Sequence, residues 1–171
     1  MLNREEIKRL IESRGLVTGY IDLAAQLTPN GFDLTAAAVY GFESAGALDF
    51  SNKERSLPLS KEIAAGKQAA DDRFGWWELK AGIYKVMTNE TVNLPLDLIG
   101  MACARSSLLR MGAFTQTGVW DAGFKGRSEF VLVVQNPHGL RLKQNARVAQ
   151  LMFTTITETE NGYSGIYQDT K

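Results

Sequence analysis

Beyond residue 15 the apolar stretches of this chain are short, rich in valine and isoleucine, and cut apart by Gly, Asn, Asp and Pro. Segments of that kind fit strands divided by turns, so the chain is expected to be mainly β with helical additions. The strands expected are 76–79, 82–87, 128–135, 140–143 and 148–154, and Asn136-Pro137-His138-Gly139 is the plainest turn. His138 reads as a residue of that turn rather than a catalyst. The N-terminus is different. Asn3 followed three residues later by Glu6 matches a capping box, Ile7, Leu10 and Ile11 share one helical face, and Gly15 supplies the stop. Residues 51–72 carry many charges and alanines, which predicts an exposed excursion with a short helix near 61–68.

A chain of 171 residues fits one domain and can bury a core without disulfides or structural metal. Lys plus Arg and Asp plus Glu each number 19, so no overall field draws the protein to nucleic acid or an anionic membrane. Any phosphate site must be local. No apolar stretch approaches the ~20 residues of a membrane span, and the N-terminus is charged (Arg4, Glu5, Glu6, Lys8, Arg9), so a cytoplasmic location is expected. The single cysteine, Cys103, sits in the run Ile99-Gly100-Met101-Ala102-Cys103-Ala104 and reads as a buried, inert thiol.

Two segments carry most of the chemistry. In Ala104-Arg105-Ser106-Ser107-Leu108-Leu109-Arg110-Met111-Gly112, serines precede leucines and a glycine follows, which reads as a helix of one or two turns. Its start would gather free backbone N–H groups, two hydroxyls and Arg105, a workable anion site. A capped surface helix with a solvated arginine is the competing reading. In Thr117-Gly118-Val119-Trp120-Asp121-Ala122-Gly123-Phe124, glycines around an aspartate predict a tight turn. There Asp121 either satisfies nearby amides or does chemistry.

Together these segments resemble the dUTPase and dCTP deaminase superfamily in order, spacing and residue type. Arg105-Ser106-Ser107-Leu108 is similar to its phosphate-binding motif, and Gly118-Val119-Trp120-Asp121-Ala122-Gly123-Phe124 to its next motif, a hairpin carrying an aspartate and an aromatic. Phe32-Asp33-Leu34-Thr35 resembles the first family motif, and Ala146-Arg147-Val148-Ala149-Gln150-Leu151 its Arg-x-Ala-Gln-Leu motif. Thr88-Asn89-Glu90, Leu94-Pro95 and the N-terminal helix also follow the pattern, so the likeness spans most of the chain except 51–72. It is greatest to the archaeal dUTPase branch. The fold implied is a distorted, jelly-roll-like β-barrel of one domain, with residues 1–15 as N-terminal helix, short helical insertions and 156–171 as a flexible tail.

The activity implied is hydrolysis of dUTP to dUMP and pyrophosphate by water attack on the α-phosphorus, with Mg²⁺ arriving on the substrate. Arg105, Ser106 and Ser107 would hold the triphosphate with Arg110, and Asp121 would orient or deprotonate the water. Phe124 would pack on the deoxyribose, leaving no room for a 2′-hydroxyl. Backbone near Gly118, with Gln116, would read the base. Arg147 would steady Asp121, and Gln150 would contact phosphate, unless both are ordinary strand residues. Asp33 would reach the metal through water, with no direct protein ligand. A homotrimer with sites shared between subunits is also implied.

Departures from the family bear on specificity. In the deaminases a catalytic glutamate lies three residues before an asparagine; here Asn136 is in place and the corresponding residue is Val133, which cannot transfer a proton. The Gly-rich closing motif of common dUTPases is missing, and Tyr163 and Tyr167 occupy its place as a possible lid or a frayed end. The rival readings are a dCTP deaminase, a pyrophosphatase acting on both dCTP and dUTP, and a catalytically silent nucleotide-binding regulatory protein.

Overall fold

The N-terminal helix forms through its caps. In the computed structural model, which describes residues 1–170, the Asn3 side chain accepts from the Glu6 amide at 2.9 Å and the Glu6 carboxylate accepts from the Asn3 amide at 2.8 Å. This reciprocal box starts α1 (Arg4–Arg14), and Gly15 at φ 64 ends it in the left-handed conformation. Ile7 and Ile11 are buried from its inner face.

The rest is strand and turn: β1 (Val17–Thr18), α2 (Leu23–Gln26), β2 (Leu27–Thr28), β3 (Gly31–Phe42), β4 (Ser60–Glu62), β5 (Trp76–Leu79), β6 (Gly82–Asn93), β7 (Leu98–Ala104), α3 (Ser106–Arg110), β8 (Ala113–Gln116), β9 (Lys125–Val134), β10 (Leu140–Lys143) and β11 (Arg147–Thr155). The main sheet runs β7-β11-β3-β6-β9-β8, with β1 on β6 and with β2 and β4 on β3; β5 and β10 pair separately. Trp120, just beyond the edge strand β8, exchanges backbone hydrogen bonds of 2.9 Å with Gly100 on the other edge strand, β7. That exchange draws the edges together into a nearly closed barrel, as the family likeness implied. Its interior holds Phe32, Leu34, Val86, Leu132, Leu151 and Phe153, all buried. Each contributes about 1.5–3 kcal/mol relative to exposure.

Strands bounded by turn residues match expectation: β5 and β10 have the expected limits, and β9 and β11 shift by a few residues. β6 runs on to Asn93, through Thr88-Asn89-Glu90, because a register shift between Met87 and Thr91 accommodates the polar residues without ending the strand. The helix expected near 61–68 does not form. Instead β4 pairs with β3 at Tyr40–Phe42, Gly66 bridges Trp76, and the segment is held as edge structure. Cys103 is exposed rather than buried. Strand alternation turns Met101 and Cys103 outward and buries Leu98 and Gly100, so a continuous apolar run did not mean burial on both faces. No helix among the described residues is long and apolar enough to cross a membrane.

Candidate active site

The residues singled out by sequence fall into two groups within one chain. The first surrounds Asp33, whose side chain is only 1% exposed. Asp33 Oδ2 receives Arg105 Nε at 3.0 Å and Arg147 Nη1 at 3.3 Å. The three meet because β11 lies between β3 and β7: Arg147 pairs opposite Thr35, and the Arg105 amide donates to the Val148 carbonyl at 3.2 Å. Burial pushes the Asp33 carboxyl above its ordinary range, against the opposing pull of Arg105 and Arg147. α3 begins here, with Arg105 as its N-cap and with Ser106, Ser107 and Arg110 exposed. Gln150 is half-buried and donates to Thr28 Oγ1 at 2.7 Å.

The second group lines a cavity of about 520 Å³. Thr117, Gly118, Asp121, Phe124, Tyr163 and Tyr167 all border it. Trp120 is pinned by its Gly100 bridge and by donation from Nε1 to Ser128 Oγ at 2.7 Å, which fixes the backbone entering Asp121. On the other side the Phe124 amide donates to the Asp121 carbonyl at 3.0 Å. The Phe124 and Tyr163 rings meet edge to face, 5.5 Å between centroids. Phe42, Leu57, Pro58 and Ser60 form a further wall, which gives part of the 51–72 excursion a place at the site.

One expectation is corrected within the chain, and two residues named from the sequence stand apart from this cavity. Arg147 does not brace Asp121 within the chain; it pairs with Asp33. Arg105 lies five residue steps along the chain from Gly100, beside Trp120, or roughly 16 Å at strand rise. Gln116 lies outside the cavity, on β8 opposite Val131, with its amide on the Thr117 carbonyl. Val133 also lies outside it, next to Ile83 and Phe114. The cavity instead receives Val131 and Glu129 from the same outward face of β9, and Lys85 holds Glu129 at 2.9 Å. Sequence reading missed this ion pair.

It also missed Glu90, which is fully buried. Its carboxylate accepts from Gln26 Nε2 at 2.7 Å, from the Thr35 amide at 2.9 Å and from Thr35 Oγ1 at 2.6 Å, and burial raises its pKa above the ordinary 4.5. A carboxyl that holds its proton more tightly when folded favours folding below the ordinary value, and that contribution is lost as pH rises through the raised one. The stability difference between the native chain and Glu90→Gln should therefore grow in favour of the native chain from about pH 8 to about pH 5. Thermal melts across that range check it, and a constant difference would show that Glu90 is not the titrating group.

The chain belongs to the dCTP deaminase-like family, whose model matches residues 1–156. A Methanosarcina mazei protein named "Probable deoxyuridine 5'-triphosphate nucleotidohydrolase" is 47% identical over 171 residues, 99% of this chain and 96% of its own. A Methanocaldococcus jannaschii protein named "Deoxyuridine 5'-triphosphate nucleotidohydrolase" is 35% identical over 143 residues, 84% of this chain and 87% of its own. The structure of 2'-deoxycytidine 5'-triphosphate deaminase from Agrobacterium tumefaciens superposes with a TM-score of 0.62 at 18% identity, over 89% of this chain and 46% of that one; this likeness concerns the fold.

Proposed function

We propose that the protein hydrolyses dUTP to dUMP and pyrophosphate in a site completed between subunits. One observation carries the reading: the carboxylate of Asp121 borders a nucleotide-sized cavity next to Phe124, while the serines and arginines suited to phosphate stand elsewhere on the same chain. Two half-sites on one chain make a whole when a second copy brings its Arg105, Ser106 and Ser107 to the first copy's cavity. The outer sheet face supports association, since Ile83 is 59% exposed alongside Val133 and Phe114. A homotrimer is the assembly proposed.

In that site Phe124 stacks on the deoxyribose, and backbone around Gly118 reads the uracil edge. Asp121 orients water in line with the α-phosphorus and takes its proton. Arg105, Ser106, Ser107 and Arg110 hold the phosphates, and Gln150 extends this surface. Among the described residues no three His, Cys, Asp or Glu side chains gather as a metal cage, and Asp33 gives its Oδ2 to two arginines. Mg²⁺ bound to the triphosphate needs no such cage and would neutralise charge on the departing pyrophosphate.

The test is incubation with dUTP, dCTP and their ribonucleotide counterparts plus Mg²⁺, with products resolved by chromatography. dUMP and pyrophosphate are expected from dUTP. No ammonia is expected from dCTP, because Val133 stands where the resembled deaminases carry their catalytic glutamate and has no proton to transfer. Ammonia release would mean that the enzyme is a deaminase; dCMP would mean relaxed base choice.

A further inference from the structure

Among the described residues Glu90 has no cationic partner, although a buried carboxylate costs several kcal/mol unless it is well solvated by the protein. Its partners show where that cost is directed. Gln26 Nε2 donates both to Glu90 Oε1 and, at 2.9 Å, to the Asp33 carbonyl. Thr35, two residues beyond Asp33, gives Glu90 its amide and hydroxyl. Asn89 Nδ2 then bonds Thr35 Oγ1 and Asn145 Oδ1, each at 2.9 Å. Gln26 is itself fixed, because its Oε1 accepts from the Ile21 and Asp22 amides at 2.8 and 3.0 Å. Arg147 touches the same small helix, α2, through the Ala25 carbonyl at 2.5 Å. Glu90 thus holds β3 directly at Thr35 and, through Gln26, at the Asp33 carbonyl, while the Asp33 side chain receives both Arg105 and Arg147.

We infer that Glu90, with Gln26, is a positioning residue for phosphate recognition: it fixes Asp33, and through Asp33 the aim of the Arg105 and Arg147 guanidiniums. The inference rests on the phosphate role proposed for Arg105 and extends it to Arg147, which shares Asp33 with it. Position matters because a guanidinium fork binds phosphate oxygens directionally, and a displacement of about 1 Å can cost on the order of a hundredfold. Glu90 touches no substrate. Its effect should therefore depend on the length of the phosphate chain, which a loss of general stability would not.

The experiment measures calorimetric binding of α,β-imido-dUTP and of dUMP to the full chain, to Glu90→Gln and to Gln26→Met. Glu90→Gln places an amide donor among donors, so imido-dUTP should bind about tenfold more weakly or worse while dUMP changes less than about twofold. Gln26→Met, which keeps volume and leaves Glu90 with Thr35, should show a smaller loss of the same kind; it decides the matter if Glu90→Gln does not fold. Equal losses for both ligands, or none in either variant, overturn the positioning role. If the native chain shows no preference for imido-dUTP over dUMP, the phosphate reading fails first and the inference with it. A native preference that survives both substitutions overturns the inference alone.

Discussion

Asp121→Asn is expected to lower dUTP turnover by about two to four powers of ten while nucleotide binding largely survives. The backbone on both sides of Asp121 is fixed by groups the substitution does not touch: the Trp120 bridge to Gly100, the Trp120 bond to Ser128, and the Phe124 amide on the Asp121 carbonyl. Asparagine would therefore occupy the same place with the same outline, and only the charge that takes the proton from water would be lost. The side chain is exposed, so little folding energy rides on it. Single-turnover kinetics with dUTP, alongside binding of imido-dUTP, separate the two effects. Near-normal turnover would remove Asp121 from the chemistry and mean that another group activates the water.

What the sequence made legible follows from how far each signal reaches along the chain. α1 was readable because its caps lie within three residues of one another, and β5 and β10 because turn residues bound them. β3 was not, although it is the sheet's central long strand. Ala36-Ala37-Ala38 has weak strand preference, and Asp33 and Thr35 look out of place in a buried run, so pairing with β6 and β11 decides the matter. Glu90 had a signal, since Val86, Thr88, Glu90 and Val92 all occupy buried positions of β6, but Thr88-Asn89-Glu90 reads equally well as a turn. Arg147 and Asp33 are 114 residues apart, and no local pattern joins them. Motif likeness found both residues and misassigned one partner, because a motif records which residues matter and not which of them meet within one chain.

Deletion of everything after Asn161 is expected to lower turnover by roughly one to two powers of ten while the fold and oligomer persist. β11 ends at Thr155, and no residue from 156 to 170 is buried, so the core loses little. What the deletion removes is one wall of the cavity, formed by Tyr163, Tyr167 and Thr170. The tail lies against residues 122–127: the Tyr163 amide donates to the Ala122 carbonyl at 2.8 Å, Gln168 Nε2 to the Gly123 carbonyl at 3.0 Å, the Asp169 amide to the Lys125 carbonyl at 2.7 Å, and the Arg127 amide to the Thr170 carbonyl at 2.9 Å. Each such bond nets only about 1 kcal/mol near solvent, so a segment held this way can open and close over a nucleotide. Gly162→Ala tests docking without shortening the chain, since its Cβ would meet Leu96 Cδ2 at 2.8 Å and Gly123 Cα at 3.1 Å. It should weaken docking and reproduce part of the loss in turnover. Protease sensitivity of the tail should fall when imido-dUTP is added to the native chain and fall less in Gly162→Ala. Truncation with unchanged kinetics would eliminate the lid, and truncation that unfolds the protein would assign the tail to the barrel's stability instead.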